Sequence, residues 1–337
     1  MNSLILQKQE VVIALAQFDI KDAVLKKCLL KEDETVITVP DGVTTIGKDA
    51  LCGLQSVIAV TLPESLKVIN DGAFYGCSSL TSVTLPGSVE RLGSCAFAQC
   101  SALNTIYLDN KLTAIGNSAF WGCTSLESID IPAGVTKIGY NLFGSCLSLI
   151  SVSLPDTVTE IDERAFKECT SLACITLPDS LVKIGNMAFL NCHNLKSVNI
   201  PDRLESIGEK AFFMCESLHE LEIPDGIASV GGDAFSDCVS VTVRSTISGK
   251  PLYKAVTATD GSSAYNFILR NIWDKGGFDF TAQDNYFPAL QDENLQYAIA
   301  FSRLMYRVNL SAAAEEHYLD FLHNNAENAV RYCITQD

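Results

Sequence analysis

Hydrophobic and polar positions recur along most of the chain with a fixed period of 23 residues. Prolines mark the period, usually directly after a leucine or isoleucine, and the marker slots are Pro40, Pro63, Pro86, Asp109, Pro132, Pro155, Pro178, Pro201 and Pro224. Phenylalanine recurs at Phe74, Phe97, Phe120, Phe143, Phe166, Phe189, Phe212 and Phe235. Cysteine follows three residues later, at Cys77, Cys100, Cys123, Cys146, Cys169, Cys192, Cys215 and Cys238. The period covers residues 36–243 and predicts a stack of similar units.

Each unit is predicted to contain two short strands and a closing turn. Residues 80–85 alternate apolar and polar near their end, which indicates a strand with one buried face, and Pro86 stops it. A second apolar piece, such as Val135 with Ile138, follows and usually ends at glycine. Residues 118–123 are too few for an independent helix, so we expect one helical turn there. About nine such coils, stacked ~4.8 Å apart, would share a core roughly 40 Å long.

The repeat resembles a known family. Residues 77–97 follow the unit C-x-x-L-x-x-[VI]-x-[LI]-P-x-x-[VL]-x-x-I-G-x-x-A-F, with Leu92 at the isoleucine position, and this unit is similar to the BspA-like leucine-rich repeats. The resemblance implies an α+β repeat fold, a right-handed leucine-rich-repeat solenoid of about nine coils. It also implies binding of proteins, matrix or cells, because family members are commonly described as surface or secreted proteins. Residues 17–27 resemble the strand-turn-strand that often precedes the first coil and would cap it.

The predicted organisation has four parts: an amino-terminal cap at 1–35, the solenoid at 36–244, a linker at 245–261 and a helical carboxy-terminal region at 262–337. The helical candidates are residues 263–273, 292–308, 311–322 and 326–334. Ser311 as cap, with Glu315 and Glu316 early in the helix, gives the third candidate a start signal. The tail is therefore expected to be a small helical bundle.

Composition excludes several classes of protein. The 337 residues are 47% hydrophobic and 19% charged, which excludes general disorder, and no apolar run reaches the roughly 20 residues of a membrane helix. The net charge of -16 argues against nucleic acid or an anionic membrane as the main partner.

Location is predicted from the amino terminus and the cysteines. Residues 7–10 are polar and interrupt the apolar stretch that a secretory signal needs, so we expect no export by that route. Thirteen cysteines favour a reducing cytoplasm. The alternative, by analogy with the family, is a cell-surface or secreted protein exported by another route.

The cysteine column is predicted to be core. The chain has no C-x-x-C pair of the kind that structural zinc uses, and equivalent positions on stacked coils point in parallel, which suits disulfides poorly. Cysteine here is interpreted as a small hydrophobic residue, with metal binding and regulation as alternatives. The cysteines outside the column are the candidates for exposed thiols: Cys28, Cys52, Cys95, Cys174 and Cys333.

Neither a catalytic set of residues nor a cofactor motif is found. The sequence lacks the phosphate-binding, dinucleotide and nucleophile-elbow glycine patterns, so no cofactor, metal or enzymatic activity is predicted. The alternative is an enzyme whose site in the tail would bring together Tyr253, Asp284 and His317. Asp156, Glu160, Asp162 and Glu163 are interpreted as a solvated acidic face.

The outward strand positions are the candidate binding surface. They are Thr84, Tyr107, Asp130, Ser153, Thr176, Asn199 and Glu222. A second outward column is Ser82, Thr105, Ser128, Ser151, Cys174, Ser197 and Glu220. Small hydroxyl residues suit any exposed strand, but a solenoid also presents such a face to ligands. The predicted function is a non-enzymatic scaffold for a protein ligand, with a glycan as the alternative ligand, acting as a monomer or weak homodimer.

Overall fold

The fold was analysed in a computed structural model. The structure describes residues 16–30, 34–219, 221–224, 226–235, 238, 240–244, 251–256, 287, 296–297, 299–300, 303–304, 310–326 and 328–329. Its repeat region is a solenoid of about nine coils, as the period predicts. Each coil contributes one strand to each of two parallel ladders and closes with a series of turns.

The first ladder, here called the proline ladder, consists of the strands that precede the proline slots. They are β3 (Val36–Thr38), β5 (Ala59–Thr61), β7 (Ser82–Thr84), β9 (Thr105–Tyr107), β11 (Ser128–Asp130), β13 (Ser151–Ser153), β15 (Cys174–Ile175), β17 (Ser197–Val198) and β19 (Leu221–Pro224), followed by β21 (Ser240–Arg244). Strands pair in parallel within the groups β3 to β9, β11 with β13, β15 with β17 and β19 with β21, as Val83 pairs with Ile106. The apolar middle residue points inward because strand side chains alternate between faces.

The second ladder, here called the glycine ladder, consists of two-residue strands, most of which end at glycine. They are β4 (Thr45–Ile46), β6 (Val68–Ile69), β8 (Arg91–Leu92), β10 (Ala114–Ile115), β12 (Lys137–Ile138), β14 (Glu160–Ile161), β16 (Lys183–Ile184), β18 (Ser206–Ile207) and β20 (Ser229–Val230). The glycine is required by close approach of the neighbouring coil. A Cβ on Gly185 would lie 2.5 Å from the backbone nitrogen of Glu163.

The closing segment combines two hydrogen-bond patterns. Cys77 N donates to Phe74 O at 3.2 Å, which is the i to i+3 bond of a tight helical turn, whereas Phe74 N donates to Ala96 O of the next coil at 2.8 Å. The segment predicted as one helical turn is therefore a chain of turns, half of whose N–H groups bind the neighbouring coil. Several of its residues other than glycine have positive φ, for example Cys95 at 54°.

A stack of phenylalanine rings forms the centre of the core. Consecutive rings from Phe74 to Phe235 have centroids 4.9 to 6.0 Å apart and interplanar angles of 4 to 17°. Each ring is at most 1% exposed. The 23-residue period places each ring on the one before it, so stacking and burial both favour a single register.

An antiparallel hairpin stands at each end of the ladders. Strand β1 (Gln17–Lys21) pairs with β2 (Val24–Leu29) through a turn at Asp22 and Ala23, both with positive φ, and β2 continues in parallel to β4. At the other end β22 (Pro251–Val256) pairs antiparallel with β21. Part of the predicted linker is thus a strand. Pro251 is compatible with it because it occupies the first strand position, where its missing N–H is tolerated. The four domain boundaries stay predictions.

The tail contains helix α1 (Ala312–Asn324). Ser311 caps it by accepting a hydrogen bond from Ala314 N at 3.1 Å, and Glu315 lies in the first turn, so the helix predicted at 311–322 is confirmed. Within the candidate at 292–308, the described residues 296–297, 299–300 and 303–304 are helical. The candidate at 263–273 and most of the one at 326–334 lie outside the described residues.

Candidate binding surface

The predicted site residues share the outer face of the proline ladder. Thr84, Tyr107, Asp130, Ser153, Thr176, Asn199 and Glu222 are all exposed. In the three-residue strands they flank a buried apolar residue; Tyr107, for example, is 70% exposed beside Ile106 at 4%. The structure thus brings them together as one row, here called the outer row.

Strand pairing fixes the spacing of parts of the outer row. Thr84 pairs directly with Tyr107, and Asp130 with Ser153, in parallel register. Neighbouring strands lie about 4.8 Å apart, so side chains of adjacent coils repeat at that interval. The row therefore presents different side chains on successive coils of a regularly repeating backbone.

Asn199 differs from the rest of the outer row because its side chain completes the ladder. Its Oδ1 accepts from Leu177 N at 2.7 Å and its Nδ2 donates to Leu177 O at 2.8 Å. These bonds lie where β15 and β17 have shortened to two residues each. The Asn199 amide is therefore committed to holding two coils together, a role that its outward position in the sequence does not reveal.

A groove of about 450 Å³ lies beside the outer row, and we call it the acidic groove. Its lining combines the polar residues Ser153, Thr176 and Asn199, the carboxylates Asp156 and Asp179, and the apolar residues Val152, Leu154, Leu177 and Pro178. Both aspartates directly follow a proline slot. Asp156, which the sequence predicts on a solvated face, is exposed and also lines this groove. The Pro-Asp pair that recurs in successive coils is the sequence signal that Asp156 and Asp179 lie together.

Carboxylates on the glycine ladder form ion pairs with lysines. Glu160 forms ion pairs with Lys137 at 3.2 Å and with Lys183 at 2.8 Å, and Asp162 pairs with Lys137 at 2.9 Å. The hydrogen bond from Lys183, together with the bond from Lys137, lowers the pKa of Glu160. The predicted acidic face thus divides into carboxylates neutralised by lysines of neighbouring coils and others, such as Asp156, that pair with no lysine in the described ranges.

Comparison with known proteins agrees with this geometry. A family model described as the BspA type leucine rich repeat region, in six copies, matches residues 19–150 and 136–250. The chain belongs to the BspA-type leucine-rich repeat family. Repeat regions of the BspA type are generally protein-binding scaffolds.

Solved structures of bacterial leucine-rich repeat proteins are similar to this BspA-type chain. A leucine rich cell surface protein from Faecalibacterium prausnitzii A2-165 is 28% identical with a TM-score of 0.54, covering 69% of this chain and 74% of that one. A leucine-rich repeat protein of T. pallidum is 30% identical with a TM-score of 0.47, covering 60% and 88%. A search of curated proteins gives no match.

The column cysteines of this BspA-type solenoid are buried donors. Each Sγ donates to a main-chain carbonyl of the preceding coil, as Cys146 does to Phe120 O at 3.2 Å. Burial raises the pKa of the Cys123 and Cys215 thiols to about 12. These protonated thiols are poor nucleophiles and poor metal ligands.

The cysteines outside the column fall into different environments. Cys52 and Cys174 are exposed and Cys95 is partly exposed, as their position outside the column predicts. The prediction is wrong for Cys28, which is 4% exposed because the hairpin packs it on the first coil, where its N–H donates to Ala50 O. Cys333 lies outside the described residues.

Other predicted chemistry is only partly visible in this BspA-type chain. Within the described ranges, no group of three His, Cys, Asp or Glu side chains could hold a metal ion. Of the alternative enzymatic residues, His317 is exposed on α1, Tyr253 belongs to β22, and Asp284 lies outside the described residues. Among the helices that the structure describes, none is both long and apolar enough to span a bilayer.

Proposed function

We propose that this chain is a non-enzymatic scaffold that binds a protein through the outer row of the proline ladder. The observation that carries the proposal is that six of its seven side chains form no hydrogen bond or ion pair with any residue the structure describes, Asn199 being the exception. They are exposed on a backbone that neighbouring coils hold rigid. Because the backbone that carries these groups is already ordered, binding costs only the rotamer freedom of the side chains.

The chemistry of the outer row supports a polar protein ligand, with a glycan as the alternative. Hydroxyl groups at Thr84, Ser153 and Thr176 can donate and accept, and Tyr107 adds a large exposed aromatic ring. Tyrosine is enriched in protein interfaces because it joins apolar area to a polar tip. We place Tyr107 as the main contact residue of the row.

Affinity capture with the full chain tests this function. Three baits are used in lysate and culture medium of the source organism: the native protein, a face variant (Thr84→Lys with Ser153→Lys) and a control variant (Ala114→Lys with Thr136→Lys, exposed on the glycine side). Partners retained by the native and control baits but lost from the face variant support the proposal. Retention of the same partners by all three baits, or of none by the native chain, contradicts it.

A cell-surface adhesin is the second candidate function, and the description of the F. prausnitzii relative as a cell surface protein favours it. The exposed free thiols Cys52 and Cys174 instead favour a reducing compartment. A maleimide that does not cross membranes separates the two. Labelling of these cysteines on intact cells supports the surface, whereas labelling only after lysis supports the cytoplasm.

A further inference from the structure

The acidic groove and the glycine ladder differ in how their carboxylates are compensated. On the glycine ladder, Glu160 and Asp162 are paired with lysines of neighbouring coils. In the groove, Asp156 and Asp179 are exposed, and no Lys or Arg in the described part of the chain lies within ion-pair distance of them. The groove therefore has a negative potential that no described Lys or Arg neutralises by an ion pair.

The shape of the groove suits an extended chain lying along the solenoid axis. The lining comes from three successive coils, and partly exposed Leu154 adds an apolar contact to the hydroxyls of Ser153 and Thr176 and to the carboxylates. A volume of about 450 Å³ is within the range of sites that bind small organic ligands or a few residues. The hydroxyls can bond a peptide main chain, while the carboxylates face its side chains.

The spacing of the carboxylates suits flexible basic side chains. Asp156 and Asp179 occupy equivalent positions of successive coils, which places them about 4.8 Å apart. In an extended peptide, side chains on one face repeat every ~6.7 Å, and the long stems of lysine or arginine can adjust for this difference. Those stems can also cover Leu154 while their charged ends reach the carboxylates.

We infer that the acidic groove binds an extended segment of a partner protein that carries lysine or arginine at alternate positions. Asp130 adds a further negative charge next to Ser153, its cross-strand neighbour, at the amino-terminal end of the groove. The charge of the groove attracts such a segment at long range, and the hydroxyls of Ser153 and Thr176 can bond its main chain. This inference rests on the proposed function and assigns it a partner chemistry.

A charge-matched pair of variants tests the groove. The ligand is a short fluorescein-labelled peptide of alternating lysine and serine, with a glutamine-for-lysine peptide as its neutral counterpart, and binding is followed by anisotropy at low and high salt. Asp156→Asn with Asp179→Asn removes two charges from the groove. Glu90→Gln with Glu205→Gln removes two exposed charges beside the glycine ladder, so that both variants have the same net charge.

We expect the groove variant to bind the lysine peptide about fivefold more weakly and with less salt dependence, while the control variant binds like the native chain. Equal weakening in both variants would assign binding to overall charge and overturn the inference. Equal binding of the glutamine and lysine peptides would also overturn the inference and would favour a neutral ligand such as a glycan. Failure of the native chain to bind the lysine peptide would overturn it as well.

The peptide measurement and the capture experiment test different claims, so each can contradict its own claim alone. If the lysine peptide does not bind but the face variant still loses its partners, only the basic-segment inference is wrong. If the peptide binds the groove but capture is unaffected by the face variant, the outer row is not the recognition surface. Circular dichroism of each variant confirms that its fold is retained.

Discussion

The Sγ atom of Cys123 lies 3.1 Å from the main-chain oxygen of Phe97 and donates a hydrogen bond to it. Phe97 belongs to the preceding coil, and its ring stacks on that of Phe120 at 5.9 Å. The same thiol bond recurs 23 residues later, from Cys146 to Phe120. A column that looks like small apolar filling in the sequence is thus also a ladder of donors joining each coil to the one before it.

Replacing Cys123 by alanine tests this ladder. Cys123→Ala removes the donor and leaves a small cavity in a fully buried position, so we expect the free energy of unfolding to fall by about 1–3 kcal/mol. Urea denaturation measures the change. The control is Cys174→Ala, at an exposed position, which should cost less than about 0.5 kcal/mol. Similar costs in the two variants would mean that the thiol bond and its packing contribute nothing.

The buried thiols also predict a loss of stability at high pH. Burial raises the pKa of Cys123 from its ordinary value near 9 to about 12 in the folded chain. Below pH 9 the Cys123 and Cys215 thiols make their full contribution to the free energy of unfolding. Above pH 9 these thiols ionise in the unfolded chain before they ionise in the folded chain, so the free energy of unfolding falls until about pH 12. Each such thiol adds up to about 1.4 kcal/mol per pH unit to the slope. Denaturation between these limits should show a shallower slope for Cys123→Ala, and an unchanged slope would contradict the shift.

The period made the fold predictable because every core position is repeated in each coil. Phe120 and Cys123 each recur at the same offset, so a single reading of one unit applies to all. Cys28 could not be placed this way, since it lies before the first repeat and is buried by the hairpin.

The side-chain partners on the surface were harder to predict because they depend on contacts between coils. Lys137, Glu160 and Lys183 are separated by the repeat length and become neighbours only when the coils stack. Opposite charges 23 residues apart are the sequence signal for these pairs. The amide of Asn199 gave no such signal, because only the shortened strands in the structure show why it bonds the backbone of Leu177.

Met214 is a position where the closing turns store backbone strain. Its φ is 59°, and its repeat column has glycine at Gly53, Gly76 and Gly122, which also have positive φ. The left-handed conformation costs a residue with a Cβ about 1–2 kcal/mol. Replacing it by glycine removes this cost, but part of the gain is lost because glycine has more conformational freedom in the unfolded chain. Since Met214 is 37% exposed, we expect Met214→Gly to raise the free energy of unfolding by about 0.5 kcal/mol. Lys196→Gly, at an exposed residue without positive φ, should instead lower it, and a loss in both variants would refute the strain.

Asn199 should be structural and Ser153 should not, although both belong to the outer row. Asn199→Ala leaves Leu177 N and O without their partners, so we expect the free energy of unfolding to fall by about 1–3 kcal/mol. Ser153→Ala removes an exposed hydroxyl that has no partner among the described residues and should cost less than about 0.5 kcal/mol. Thermal and urea unfolding of the two variants measure these changes. A binding measurement then separates the two roles, because Ser153→Ala should weaken binding of the lysine peptide with little change in the free energy of unfolding. If Asn199→Ala unfolds like the native chain, its amide is free to bind a ligand and the structural assignment fails.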